Sequence, residues 1–60
     1  MKQLVYVWEG DEPVEIDVYQ KSKTVWIAVG KYVGKHHEVK RSSRMAAVKA
    51  WADAAEYHSN

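Results

Sequence analysis

Residues 14–20 show the clearest alternation of hydrophobic and polar positions in the chain. Successive side chains of an extended strand point to opposite faces, so the alternation separates two sets: Val14, Ile16 and Val18 against Glu15, Asp17 and Tyr19. One apolar and one polar face are typical of an antiparallel sheet that is covered on one side. The pattern therefore predicts a half-buried antiparallel strand.

Two longer segments have the β-branched and aromatic composition of strands. Residues 3–9 predict a first strand, which ends at a turn over residues 10–13 that contains glycine and proline. After a polar turn at residues 21–23, residues 24–30 predict a third strand. Its β-branched positions are expected to face the core and its remaining positions to face away from it: Val25, Ile27 and Val29 against Trp26, Ala28 and Gly30.

The next segment predicts a hairpin and a shorter fourth strand. Residues 31–35 contain Gly34 and are typical of a hairpin loop. Residues 36–40 follow with His37 and Val39 at the alternate positions that would face the core. We therefore expect three strands, with a short fourth strand before the last element.

The C-terminal part of the chain predicts a helix that runs to about Tyr57. Ser42 or Ser43 is the expected N-cap, because a hydroxyl there accepts a hydrogen bond from a free N–H of the first turn. Small and apolar residues fall on one side at helical spacing, opposite a polar side of Lys49, Asp53 and Glu56: Ala47, Val48, Trp51, Ala54 and Ala55.

This order predicts an α+β fold in a single domain over residues 1–60. Short connections favour a three- or four-stranded antiparallel meander with the C-terminal helix packed on one face. The uncovered face is then expected to carry these residues: Glu15, Asp17, Tyr19, Trp26, Ala28, His36, Glu38 and Lys40.

Charge is unevenly distributed although the net charge is only +1. Residues 1–20 hold five carboxylates and one lysine, whereas residues 21–44 hold seven cations and Glu38. Basic residues near the last hairpin and the helix start form a candidate site for nucleic-acid phosphates: Lys31, Lys35, Lys40, Arg41 and Arg44. The alternative interpretation is a solvated basic rim.

The uncovered face suggests a second candidate site. Tyr19 and Trp26 would lie side by side there if strands 2 and 3 pair, with Glu15 and Asp17 beside them. Exposed aromatic side chains can stack on bases, anchor a protein partner or form a cross-strand pair. The acidic neighbours favour a protein partner or a second copy of the chain.

The second half of the chain resembles double-stranded-RNA-binding domains. The similar features are the strand over residues 25–29, Gly34, residues 38–40, Ser43-Arg44 and the alanines of the helix. The resemblance implies that Arg44 contacts phosphate. Met45 and Val48 stand where that family has two further lysines.

The helix is similar to that of three-strand-plus-helix DNA-binding domains of the ethylene-response and integrase arm-binding type. The similar segment is residues 47–55, with Trp51 in the place of a tyrosine. The resemblance implies DNA contact through the open sheet face, where Glu15, Asp17 and Glu38 would meet the phosphates of the groove.

Composition excludes several kinds of site. The chain has no cysteine, hence no disulfide, thiolate zinc site or cysteine nucleophile. Adjacent His36 and His37 would point to opposite faces of a strand, so we expect no metal site there.

We expect a cytoplasmic, non-enzymatic binding module of the size of bacterial or phage accessory factors, with no cofactor, membrane contact or small-molecule substrate. Its expected partner is DNA or RNA, or alternatively a protein or a second copy.

Overall fold

The computed structural model describes residues 1–58, apart from the side chain of His58. Four strands precede one helix: β1 Lys2–Val5, β2 Val14–Ser22, β3 Val25–Tyr32, β4 Lys35–Arg41 and α1 Arg44–His58. The strands form one antiparallel sheet in the order β1-β2-β3-β4, and α1 packs mainly on β3 and β4 and less on β2. The α+β prediction is confirmed, and the fourth strand is present.

The core lies between the helix and one face of the sheet, here called the helix face. The buried residues of this cluster come from the first three strands, the loop after β1 and the helix: Val5, Val7, Ile16, Val18, Ala28, Ala47, Trp51 and Ala55. Three successive turns of the helix contribute Ala47, Trp51 and Ala55 to the core. The small alanines let the helix backbone come close to the sheet, and the indole of Trp51 fills the space between helix and sheet.

Trp51 is fully buried at the centre of this cluster. Its Nε1 donates a hydrogen bond to the carbonyl oxygen of His37 at 3.1 Å, and the His37 ring meets the indole edge-on at 6.1 Å between centroids. A Cβ at Gly30 would lie 2.6 Å from Cγ2 of Ile16 and 3.3 Å from Cζ2 of Trp51. Glycine is therefore the residue that leaves room for both side chains.

The predicted orientation of β3 is wrong. Ala28 pairs with Val18 and is buried, and Trp26 is half-buried against the core, so these residues face the helix rather than the open side. Ile27 and the neighbouring valines lie on the opposite, open face. The physical reason is space: a strand beneath Trp51 needs small residues, so Ala28 and Gly30 occupy the helix face although the β-branched positions look more core-like.

The loops also differ from the prediction. β1 ends at Val5 instead of residue 9, and residues 6–13 form a loop whose turn is held by the Asp11 N–H donating to the Trp8 carbonyl oxygen at 3.2 Å. Gly10 in this turn has a φ of 87°. The β2–β3 turn lies at residues 23–24 rather than 21–23, because a bulge between Gln20 and Ser22 lengthens β2.

The β3–β4 hairpin is tighter than predicted, because residues 33–34 alone form the turn. Val33 and Gly34 both have positive φ, 52° and 76°, as a type I′ turn requires. Glycine adopts this conformation readily, but a β-branched residue at positive φ is strained. The backbone twist of a type I′ turn matches the twist of the two strands that it joins. This favourable geometry offsets the conformational strain at Val33.

The helix begins as predicted with a serine cap. The Ala46 N–H donates to Ser43 Oγ at 3.2 Å, and the Ala47 N–H donates to the Ser43 carbonyl oxygen at 3.0 Å. Ser43 is therefore the N-cap, and Arg44 is the first helical residue.

Replacing Trp51 with alanine should destabilise the protein by ~3–5 kcal/mol, the range for truncation of a large buried aromatic residue. Trp26→Ala is the matched comparison on the same face, and since Trp26 is only half-buried its loss should be smaller, roughly 1–3 kcal/mol. Urea unfolding followed by circular dichroism measures both. A Trp51→Ala variant as stable as the parent would contradict the assigned core.

Replacing Val33 with asparagine should stabilise the protein by about 1 kcal/mol, because Asn-Gly is favoured in type I′ turns and tolerates positive φ. Val33→Thr is the control, since threonine keeps the β-branch and should bring no gain. Thermal unfolding of the three proteins measures the difference. Equal stability of the asparagine and threonine variants would argue against strain at this turn.

Candidate nucleic-acid interface

The register of the sheet collects basic residues at one end of the molecule. This end contains the β2–β3 turn, the end of β4 and the start of the helix, and we call it the basic end: Lys21, Lys23, Lys40, Arg41 and Arg44. Within the described residues, no carboxylate forms an ion pair with any of these five side chains. Their side chains are therefore exposed and not neutralised by a direct ion pair.

Lys31 and Lys35 lie elsewhere, so the predicted basic group is divided. Both flank the β3–β4 turn, and Lys35 and Arg41 stand at opposite ends of β4. Six residues of strand separate these two positions by roughly 20 Å. Glu9, Asp11 and Glu12 belong to the β1–β2 loop, at the same end of the sheet as the β3–β4 turn, so Lys31 and Lys35 share that end with carboxylates.

Lys21 and Lys23 are the residues that the sequence prediction missed as site members. Lys21 lies in the β2 bulge and Lys23 in the turn that follows. The signal was present in the order of elements: in an antiparallel meander, the β2–β3 turn and the end of β4 must lie at the same end of the sheet. This placement depends on β4, because without a fourth strand the segment before the helix has no fixed end of the sheet.

The two arginines of the basic end lie on opposite sides of the helix start. Arg41 belongs to the outer strand β4, and its Nη1 donates to the Lys40 carbonyl oxygen at 2.6 Å. Arg44 reaches across to the other edge, where its Nη1 donates to Oε1 of Gln3 on β1 at 3.3 Å. The cations thus span the sheet, whose three strand spacings of ~4.8 Å give a width of about 14 Å.

The helix N-terminus adds to this positive field. Its first turn contains no acidic residue, and Arg44 stands at its first position. A helix N-terminus carries a partial positive charge from its free N–H groups. The positive end of the helix dipole and the five side chains therefore act in the same direction.

The open sheet face is balanced in charge rather than acidic. Three lysines and three carboxylates occupy it: Lys2, Lys31 and Lys40 with Glu15, Asp17 and Glu38. Lys2 Nζ and Asp17 Oδ1 form an exposed ion pair at 3.0 Å. The hydrogen bond to Asp17 and the Coulomb attraction of its carboxylate raise the pKa of Lys2 above its ordinary value.

The predicted protein-interaction residues are divided between two faces. Tyr19 shares the open face with Glu15 and Asp17 and is 45% exposed. Trp26 lies on the helix face, so the two rings do not form a pair. Ile27, which pairs with Tyr19 and Lys40, is only 2% exposed although it lies on the open face. The apolar surface offered there is correspondingly small.

Two open grooves flank the helix. The first, of about 450 Å³, lies between the helix and β1 and includes Val5, Tyr6, Met45 and Val48. The second, of about 580 Å³, lies between the helix and β4 and is called the β4 groove. Its lining includes these residues: Val39, Arg41, Ala46, Ala50, Ala54 and Tyr57.

The described residues contain no cluster of three or more histidine or acidic side chains placed to hold a metal ion. Across residues 1–58, no helix has the length and apolarity needed to cross a membrane.

Comparisons with protein-family models, curated proteins and solved structures gave no match to this chain.

Proposed function

We propose that the protein binds the phosphate backbone of nucleic acids through its basic end, without reading base sequence. The observation that carries this proposal is the convergence of five cationic side chains and a helix N-terminus on one end of the sheet, where no carboxylate among residues 1–57 forms an ion pair with any of the five. Lysine and arginine that neutralise phosphates supply most of sequence-independent affinity for DNA and RNA.

The width of the basic end suits a nucleic-acid duplex. Duplex DNA carries one phosphate charge per ~1.7 Å of helix axis with both strands counted, so an end about 14 Å wide spans a length of duplex that carries roughly eight phosphate charges in total. Five cations can therefore contact separate phosphates. All five side chains are exposed on a turn, a strand end or a helix start, where they can meet either DNA or RNA.

Base recognition has less support than backbone binding. The open sheet face carries balanced charge, and Glu15, Asp17 and Glu38 would approach phosphates if this face entered a groove. Trp26 packs against the core and offers no exposed face for base stacking comparable to that of Tyr19. Affinity should consequently depend on charge and salt more than on sequence.

Protein binding through the open face is the second candidate function. Leu4 is 60% exposed and Tyr19 is 45% exposed on this face, with Glu15 and Asp17 near them. The loss of Trp26 from this set removes its largest anchor, since aromatic residues dominate the energy of interfaces. Backbone binding at the basic end is therefore the better supported function.

Replacing Lys21 and Lys23 together with glutamine should weaken binding to duplex DNA and lower its salt dependence. Each phosphate contact contributes ~0.9 to the slope of log K against log salt, so the slope should fall in magnitude by roughly 2. Fluorescence anisotropy with a labelled duplex over a salt series measures both quantities. Duplex RNA and single strands, titrated in parallel, show which nucleic acid is preferred.

The double variant Lys31→Gln and Lys35→Gln is the matched control. It removes the same charge from the opposite end of the sheet, so affinity and slope should stay close to those of the parent. Equal effects of the two double variants would contradict a site at the basic end. Absence of binding by the parent at low salt would overturn the proposed function.

A further inference from the structure

The outer edge of β4 presents backbone groups that no strand in the described part of the chain covers. A two-residue turn makes Tyr32 and Lys35 a hydrogen-bonded pair, and such pairs alternate along the strand. His37 and the odd-numbered residues beyond it therefore bond to β3. The N–H and C=O groups of His36, Glu38 and Lys40 point outward, away from the sheet.

The helix presents a second, partly exposed apolar stripe beside this edge. Ala46, Ala50 and Ala54 recur every four residues along the β4 groove, and each is only half-buried. Tyr57 continues the stripe by one turn and is 77% exposed. These residues lie next to the buried face of α1. The apolar surface of the helix is therefore wider than the part that the sheet covers.

We propose that the β4 edge and the β4 groove together are the interface for a second copy of this chain. The two β4 strands would pair antiparallel about a two-fold axis at Val39, which gives one continuous eight-stranded sheet. Because Val39 lines the β4 groove, this axis brings the grooves of the two copies together. The inference does not rest on the proposed nucleic-acid binding, although Lys40 and Arg41 belong both to this interface and to the basic end.

Charge complementarity selects this register. With the axis at Val39, Glu38 of each copy lies directly opposite Lys40 of the other, in two symmetric pairs. Both are outward-facing residues, so each pair also exchanges two backbone hydrogen bonds. The Lys40 carbonyl oxygen keeps a lone pair besides the one that Arg41 Nη1 uses. An axis at Glu38 would instead oppose two carboxylates, which is unfavourable.

The position of α1 on the sheet gives the distance between helices that such a dimer requires. α1 packs mainly on β3 and β4, so its axis lies above the space between these strands. Adjacent strands are ~4.8 Å apart, which places the two helix axes about 10 Å apart across the two-fold axis. Packed helices lie about 8–10 Å apart, and alanines permit the closer distances.

Charges along the groove are also self-complementary. Lys49 and Asp53 lie one turn apart on the exposed flank of the alanine stripe. Two helices related by a two-fold axis run antiparallel here, so Lys49 of one copy can face Asp53 of the other. An acidic or basic protein partner would match only one of these side chains, whereas a second copy matches both.

The other edge of the sheet is less suited to pairing. β1 has four residues against seven in β4. Each edge has one outward carbonyl oxygen that accepts a side-chain hydrogen bond, Leu4 from Gln3 at 3.2 Å and Lys40 from Arg41 at 2.6 Å. Strand length therefore distinguishes the two edges, since a short edge strand is a common protection against association.

The size of the surface predicts a weak dimer. An interface burying ~800 Å² per partner uses about 20–30 residues a side, and this edge and groove supply roughly half that number. We expect a dissociation constant in the micromolar range. The monomer exposes 4313 Å² in total, so the interface would cover a modest fraction of it.

Sedimentation of the untagged chain without nucleic acid, over a concentration series, tests the proposal. The parent should shift from monomer to dimer over micromolar concentrations. Glu38→Lys and Lys40→Glu should each weaken dimerisation by roughly tenfold or more, because each places two like-charge pairs across the axis. Mixing the two variants should restore a dimer, since one chain then carries two lysines and the other two glutamates at these positions.

A helix substitution tests the groove separately. Ala50→Glu should abolish the dimer, whereas Met45→Glu, on the opposite flank of the helix, should leave it intact; circular dichroism confirms that both variants are folded. A parent that stays monomeric at millimolar concentration would overturn the proposal. A dimer that survives Ala50→Glu, or one that Lys40→Glu leaves unchanged, would overturn the interface.

Discussion

The packing of the Trp51 indole over Gly30 is the contact on which the rest of the structure depends. The ring fills the space between helix and sheet, and a Cβ at Gly30 would lie 2.6 Å from Ile16 Cγ2 beneath it. This contact and the hydrogen bond to the His37 carbonyl oxygen tie α1 to β3 and β4. A 60-residue chain buries only ~60% of its unfolded surface, so a single large ring supplies much of its core.

The same contact decides where the charged residues lie. By fixing Ala28 and Gly30 on the helix face, it turns Ile27 and Lys31 to the open face, where lysines and carboxylates balance. The basic end follows instead from the strand order, which places the β2–β3 turn, the end of β4 and the helix start together. The docking of α1 on β3 and β4 leaves the alanine stripe exposed next to the β4 edge.

Much of the fold could be predicted because some segments have one strong pattern. Apolar and polar residues alternate along the first part of β2, which predicts a strand. The serine cap and the alanines that follow it predict a helix. β3 could not be oriented, since both of its faces are apolar and the small residues beneath Trp51 look less core-like than valine and isoleucine. The strain at Val33 is likewise invisible in sequence, because valine is a poor residue for the turn it occupies.

The candidate site was only partly predictable for a geometric reason. Lys40, Arg41 and Arg44 are close in sequence and stay together, but Lys31 and Lys35 sit on a hairpin that carries them to the other end of the sheet. Lys21 and Lys23 join the site only through strand order. Proximity along the chain is therefore a poor guide to charge clustering in a meander.

The coupling energy between Gly30→Ala and Trp51→Phe, from urea unfolding of the parent, both single variants and the double variant, tests the central contact most directly. Gly30→Ala should destabilise the parent by about 1–3 kcal/mol through overpacking. With phenylalanine at position 51, the new methyl and Ile16 have room to relax, so the loss should shrink by at least about 0.5 kcal/mol. Strictly additive effects would contradict the account, because they would mean that Gly30 and Trp51 do not share the space assigned to them.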